Sequence, residues 1–311
     1  MAQHHDPLNA DTAAPGVHVR LRELLRLRAA ARDLRVAGRR HVATDMAGAY
    51  ASAFRGRGID FDEVRPYQPG DDIRNMDWRV TARTGRPHTK LFHEERERPV
   101  LVAVDQGPTM AFGSRRAFKR VAAAEAAALI GWSALANGDR VGGLCFSGEA
   151  HREFRPLRGE RGVIRLLKGL VHGASAAADH PSALGPVLRR LRHVARPGTA
   201  LFIISDFRAW DETAASLLSQ LAKHNPVILI FVFDPLERQL PPPGRYPVTD
   251  GDRQFILDNG PARLQRDFQR QFAEHQAAVE NFSRSRGIQF LTLATDDDVA
   301  RVLGKGLRPR P

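Results

Sequence analysis

The chain holds a single cysteine, Cys145, in 311 residues. One thiol forms no internal disulfide, which excludes a cystine-stapled framework and makes a reducing compartment the expectation. Cys145 sits in the apolar stretch "VGGLCFSG", so packing is favoured over nucleophilic catalysis. Aromatic residues make up only 7% of the chain. The core is therefore expected to be aliphatic, and a nucleic-acid groove built on stacking side chains is poorly provided for. No apolar run approaches the roughly 18 residues of a membrane span; the best, "VILIFVF" at 227–233, has strand length. The opening "MAQHHDPLNADTAAPG" lacks an apolar leader region. These absences predict a soluble, cytoplasmic protein, peripheral to a membrane at most. Three catalytic signatures are missing too. There is no Gly-x-x-x-x-Gly-Lys-Ser/Thr loop, so no nucleotide hydrolysis by that route, and no Gly-x-Ser-x-Gly elbow. "HEERE" at 93–97 lacks the second histidine of a zinc helix.

Basic residues are abundant. Lysine and arginine number 47 against 35 acidic residues, a net charge of +12. Such a surface can meet nucleic acid, an anionic membrane or an acidic protein. The arginines are spread along the whole chain and interleaved with acids, which reads as a solvated surface rather than a groove. Nucleic-acid binding stays open as an alternative.

The organisation changes near residue 99. Residues 1–16 are polar and aperiodic and read as a disordered tail. Residues 17–36, with Leu21, Leu24, Leu25, Leu27 and Leu34 at three- and four-residue spacings, predict one amphipathic helix. Residues 37–99 are irregular and charge-dense, with "HTKLF" at 88–92 expected as a strand. The stretch 17–99 is thus an N-terminal helical and irregular extension. From 100 to 305 apolar runs of strand length, at 100–105, 140–146, 200–206, 227–233 and 288–293, alternate with helical patterns, before a basic tail at 306–311. The helices are expected near 115–136, 160–171, 183–195, 211–223, 261–286 and 296–304. Ser114 is expected to N-cap the first of them and Asn137-Gly138 to end it. This predicts a doubly wound α/β domain with a mostly parallel sheet. "HREFRPL" at 151–157 alternates instead and predicts an antiparallel edge strand. "YPVTDGDRQFIL" predicts a hairpin turning at Asp250-Gly251-Asp252.

Sites in open parallel sheets form beyond the carboxyl ends of the strands, where the strand order reverses. "LVAVD" ends in Asp105 and "LFIISD" in Asp206. If those strands are neighbours, Asp105, Thr109 and Asp206 converge on one crevice that Ser182 can close. Oxygen-only ligands of this kind suit Mg²⁺ or Mn²⁺. A plain alternative is that Asp105 and Asp206 cap the following helices and satisfy loop amides.

A strand followed by Asp-x-Ser-x-Ser, a later threonine and a strand-ending aspartate resembles the metal-ion-dependent adhesion site of von Willebrand factor A domains. The stretch "RPYQPGDDIRNMDWRVTAR" (65–83) resembles the signature of the bacterial family catalogued as domain of unknown function fifty-eight. That resemblance covers nearly all of 17–305. It implies a von Willebrand A-type fold and a non-enzymatic adaptor that accompanies a MoxR-type AAA+ ATPase and a client protein during complex maturation. It also implies that the first metal aspartate falls on Asp105, the second serine on Thr109, the threonine on Ser182 and the later aspartate on Asp206. The first serine falls on Gly107, which has no side-chain ligand. A weakened Mg²⁺ or Mn²⁺ site follows, and a serine at 107 is expected to tighten it.

Within the signature, Arg65, Asp71, Asp72, Arg74, Asp77, Trp78 and Arg83 are candidate partner-binding residues. The competing reading is an internal charge lattice with Trp78 as its apolar anchor. Asp71, Asp72, Asp77, Glu94 and Glu95 leave a metal-dependent hydrolase as a further alternative, though no spacing selects it.

Overall fold

The computed structural model describes residues 16–34, 59–68, 73–94, 97–148, 150–173, 182–249, 254–260 and 262–307. The chain divides into two compact units. One comprises residues 1–39 with 98–311, the other residues 40–97.

The expected single helix at 17–36 is replaced by two short pieces, helix α1 (Leu21–Arg26) and a 3₁₀ turn at Ala30–Asp33. Tertiary bonds explain the break. The Leu24 carbonyl accepts from Trp132 Nε1, and the Leu34 carbonyl from the Ser133 hydroxyl. Both donors belong to the long helix of the same unit, so these carbonyls find partners outside a local helix. Leu24, Ala31 and Leu34 are buried in the core there.

The smaller unit holds strand β1 (Ile59–Pro66), helix α2 (Trp78–Thr84) and strand β2 (His88–Glu94), with β1 and β2 antiparallel. Asp77 starts α2 by accepting from the amides of Arg79 and Val80. Gly85, at φ 69°, ends it.

The larger unit continues with β3 (Pro99–Asp105), α3 (Lys119–Ala136), β4 (Arg140–Ser147), β5 (Ala150–Leu157), α4 (Glu160–His172), α5 (Leu184–Val194) and β6 (Ala200–Ser205). Then come α6 (Glu212–Ala222), β7 (Val227–Phe233), the short α7 (Pro235–Arg238), β8 (Arg245–Thr249), β9 (Gln254–Asp258), α8 (Ala262–Ser285), β10 (Gln289–Ala294) and α9 (Val299–Gly306). The main sheet has the order β10-β7-β6-β3-β4-β5. Its pairings are parallel except β4–β5. This is the expected doubly wound sheet with an antiparallel edge strand.

β6 and β7 are buried along their whole length, because helices cover both faces. One core holds α3, α4, α9 and the N-terminal segment; the other holds α5, α6 and α8. The alanines of α3 are fully buried at 122–124 and 126–128. Their small side chains let the helix lie close on the central strands. Gly138, at φ 79°, follows α3 as expected. The helix begins later than expected, at Lys119 after Phe118, and Ser114 does not cap it. β8 and β9 pair antiparallel as expected, with the turn at 250–253 outside the described residues. No described helix is long and apolar enough to cross a membrane.

The chain steps from β3 outward to β4 and β5, then returns past β3 to β6, β7 and β10. The order therefore reverses between β3 and β6, which places a crevice beyond their carboxyl ends.

The docking of the N-terminal segment can be tested by Leu24→Ala. Deleting this buried side chain should cost about 2–4 kcal/mol of stability, read from urea unfolding.

Candidate functional site

The strands around the reversal point end in polar residues, and these interlock. Asp105 closes β3 and is 2% exposed. Its Oδ1 accepts from the Gly107 amide at 2.8 Å and the Ser182 hydroxyl at 2.6 Å. Its Oδ2 accepts from the Ser205 hydroxyl at 2.6 Å. Burial first, and the negative charge of Asp206 second, push this carboxyl up to about 6, against the pull of those three hydrogen bonds.

Asp206, just after β6, is 3% exposed. Its Oδ1 accepts from the Arg208 amide. Its Oδ2 lies 2.8 Å from the ammonium of Lys119, which also reaches Glu237 Oε1 at 2.7 Å. Lys119 has no exposed surface. Arg208 adds a second cation on Glu237 at 3.1 Å. The other oxygen of Glu237 accepts from the Asp234 amide, which completes the capping box of α7.

Asp234 closes β7 and collects four donors: the hydroxyl and amide of Ser114, the Leu236 amide and the Thr295 hydroxyl. Burial raises its pKa, but these hydrogen bonds outweigh that cost and hold the carboxyl below its usual range. Ser114 thus reaches across the sheet edge instead of starting α3. Phe207 stands at φ 52°, an uncommon conformation for a side chain of that size. It is held by stacking on Phe231 and by the hydrogen bond that its backbone N–H donates to Ser205 Oγ.

The structure therefore brings Asp105, Ser182 and Asp206 to one crevice. The Thr109 hydroxyl is buried without a hydrogen-bond partner. The helix after β6 is capped by Asp211, not Asp206. Sequence reasoning missed Ser205, Lys119, Glu237 and Asp234. A signal for Asp234 was present, since it ends "VILIFVFD" as Asp105 and Asp206 end their strands.

The donor set fits a divalent cation poorly. Thr109 Oγ1 is the candidate donor left without a partner. Asp105 accepts at both oxygens, and Asp206 carries an ammonium. Gly107 offers no room for a ligand either: a Cβ there would lie 2.2 Å from Ser182 Oγ and 3.1 Å from Asp105 Oδ1. Ser182 already fills the space a serine at 107 would need. A serine at 107 would require the Ser182 hydroxyl to move, which opposes the expectation that such a serine tightens metal binding.

The signature residues lie in the smaller unit. Asp71 and Asp72 are outside the described residues, as is Glu95, and the side chain of Glu94 is not described. Trp78 is 67% exposed, so it does not serve as an apolar anchor. Arg74 and Arg83 are exposed and Arg65 half-buried, its guanidinium donating to the Pro66 carbonyl. Asp77 is occupied in capping α2. Cys145 is buried, and burial pushes its thiol up to about 12, opposed by Arg152. That agrees with a packing role.

Two outcomes follow from the crevice. Gly107→Ser should destabilise by about 1–3 kcal/mol in chemical denaturation, and adding Ser182→Gly should recover most of the loss. The second concerns pH. The folded-state pKa of Asp105 lies above its ordinary 3.8. The folded chain therefore holds a proton that the unfolded chain releases, and stability from this group is lost as pH rises from about 4 to about 6. Wild type should lose melting temperature over that window relative to Asp105→Asn, measured by calorimetry.

The chain is 33% identical over 277 residues to "Uncharacterized protein Rv1480" of Mycobacterium tuberculosis, covering 88% of this chain and 86% of that one. Among solved structures it is similar to the conserved hypothetical protein BatB from Bacteroides thetaiotaomicron, with TM-score 0.44, 13% identity, and coverage of 68% of this chain and 97% of that one. A von Willebrand factor type A chain from Catenulispora acidiphila gives TM-score 0.37 and 11% identity, over 71% of this chain and 44% of that one. The family described as "Protein of unknown function DUF58" matches residues 63–278, and the chain belongs to it.

Proposed function

We propose that the protein is a non-enzymatic adaptor that binds protein partners through the carboxyl edge of its sheet. The observation that carries this reading is the loop joining β3 to α3. It is fastened from below at two points, by the Gly107 amide on Asp105 and by Ser114 on Asp234. Between and beyond those points Pro108, Ala111, Phe112 and Arg115 face outward, while Arg116 is tied to the Thr295 carbonyl and to Glu125. Phe112 is 40% exposed. A fixed loop that displays an aromatic ring and an arginine loses little conformational entropy on docking, which favours protein recognition.

The buried carboxylates beneath the loop support the same reading. Asp105, Asp206, Asp234 and Glu237 are engaged with hydroxyls, amides or cations of their own chain. They hold the loops in place. Membership of the family, together with this doubly wound fold, supports a protein-interaction role. The partner we propose is a MoxR-type AAA+ ATPase acting with a client protein in the cytoplasm. The exposed guanidinium of Arg115, which spends one nitrogen on Asp296, keeps further donors for an acidic patch on that partner.

The test is capture from a native lysate on the immobilised full chain, with captured proteins identified by mass spectrometry. An AAA+ ATPase should be recovered. Phe112→Ala should weaken its binding about tenfold, or ~1.4 kcal/mol, while Arg155→Glu on the edge strand β5 should not. Equal recovery by wild type and Phe112→Ala would remove the loop from the interface, and recovery of no ATPase would reject the partner.

A further inference from the structure

A divalent cation in an oxygen cage needs carboxylates whose charge is not already spent on another cation. At this crevice a cation of the chain itself is in place. α3 begins at Lys119, and the side chain of that residue runs under the β6 and β7 loops to put its ammonium between Asp206 and Glu237. We propose that Lys119 is the resident cation of this site and that it keeps a divalent metal out of the crevice.

The charges around Lys119 close without a metal. Two cations, Lys119 and Arg208, face two anions, Asp206 and Glu237. The ammonium has no exposed surface and sits on Asp206 Oδ2 at 2.8 Å, the carboxylate a metal would draw on. A dication brought to Asp206 would meet that positive charge in a site with little water to screen it. The remaining anion, Asp105, is met by neutral donors: Ser182, Ser205 and the Gly107 amide. The hydroxyl of Ser182 occupies the space beside Gly107, so a side chain at 107 would have to displace it from Asp105. What remains is Thr109 Oγ1, a single neutral donor. A buried hydroxyl without a partner lowers stability in the absence of a ligand, so its replacement separates the two possibilities.

The experiment uses the purified full chain, with no partner present, so its outcome does not depend on the adaptor reading. Mn²⁺ binding is measured by the loss of free-ion signal in electron paramagnetic resonance, and melting temperature is compared in Mg²⁺ and in EDTA. Wild type should show no saturable Mn²⁺ site below about 1 mM and the same melting temperature in both buffers. Thr109→Val should melt at the same or a higher temperature in both. Lys119→Ala should gain at least about tenfold in Mn²⁺ affinity and melt higher in Mg²⁺ than in EDTA, because a bound ligand stabilises the folded state. Adding Asp206→Asn should abolish that gain. Saturable Mn²⁺ binding by wild type that Thr109→Val or Asp105→Asn removes would overturn the proposal. So would a folded Lys119→Ala that still takes no Mn²⁺. If Lys119→Ala does not fold, Lys119→Met, which keeps the length of the side chain without its charge, takes its place, and a folded Lys119→Met that takes no Mn²⁺ overturns the proposal.

Discussion

A lysine ammonium cannot be withdrawn from water unless carboxylates meet it. In this protein that condition shapes the whole carboxyl edge of the sheet. Lys119 starts the helix that covers the central strands, Asp206 leaves β6, and Glu237 lies in the short helix after β7. Three elements that the chain visits far apart are thus pinned at one point. Glu237 in turn holds the Asp234 amide, and Asp234 holds Ser114 and Thr295. Lys119, Asp206, Glu237, Asp234, Ser114 and Thr295 thus form one connected polar network, and removing Lys119 would leave buried carboxylates without their cation.

Much of the fold was legible because burial on both faces leaves near-continuous apolar runs, such as "VILIFVF", with little ambiguity about strand type. The antiparallel edge strand was legible for the opposite reason, since β5 is largely polar and buries only Phe154, as suits the border of a sheet. The N-terminal helix was misread because periodicity reports only which residues face inward. Leu24, Ala31 and Leu34 do face inward, yet side chains of α3 take the carbonyls at 24 and 34, and the helix breaks between them.

The candidate site was legible in part. Strand-ending aspartates announced Asp105 and Asp206, and the order of the sheet makes them neighbours. Lys119 was hidden, because "RRAFKR" presents several basic residues and only the buried start of α3 selects one of them. Trp78 misled in the other direction. An aromatic ring in a charged segment suggests an anchor, but this one lies in the open. Local composition does not reveal whether such a segment supplies its own core.

The bond from the Ser114 amide to Asp234 spans 120 positions of sequence and fastens an outward-facing loop to a buried strand end. Amide hydrogens in exposed loops usually exchange with solvent within local fluctuations. This one is donated to a carboxylate that also closes β7 and grips Thr295 after β10. Its exchange with deuterium requires that strand end to open, so it belongs with the slow, cooperative unit of the sheet rather than with its own loop.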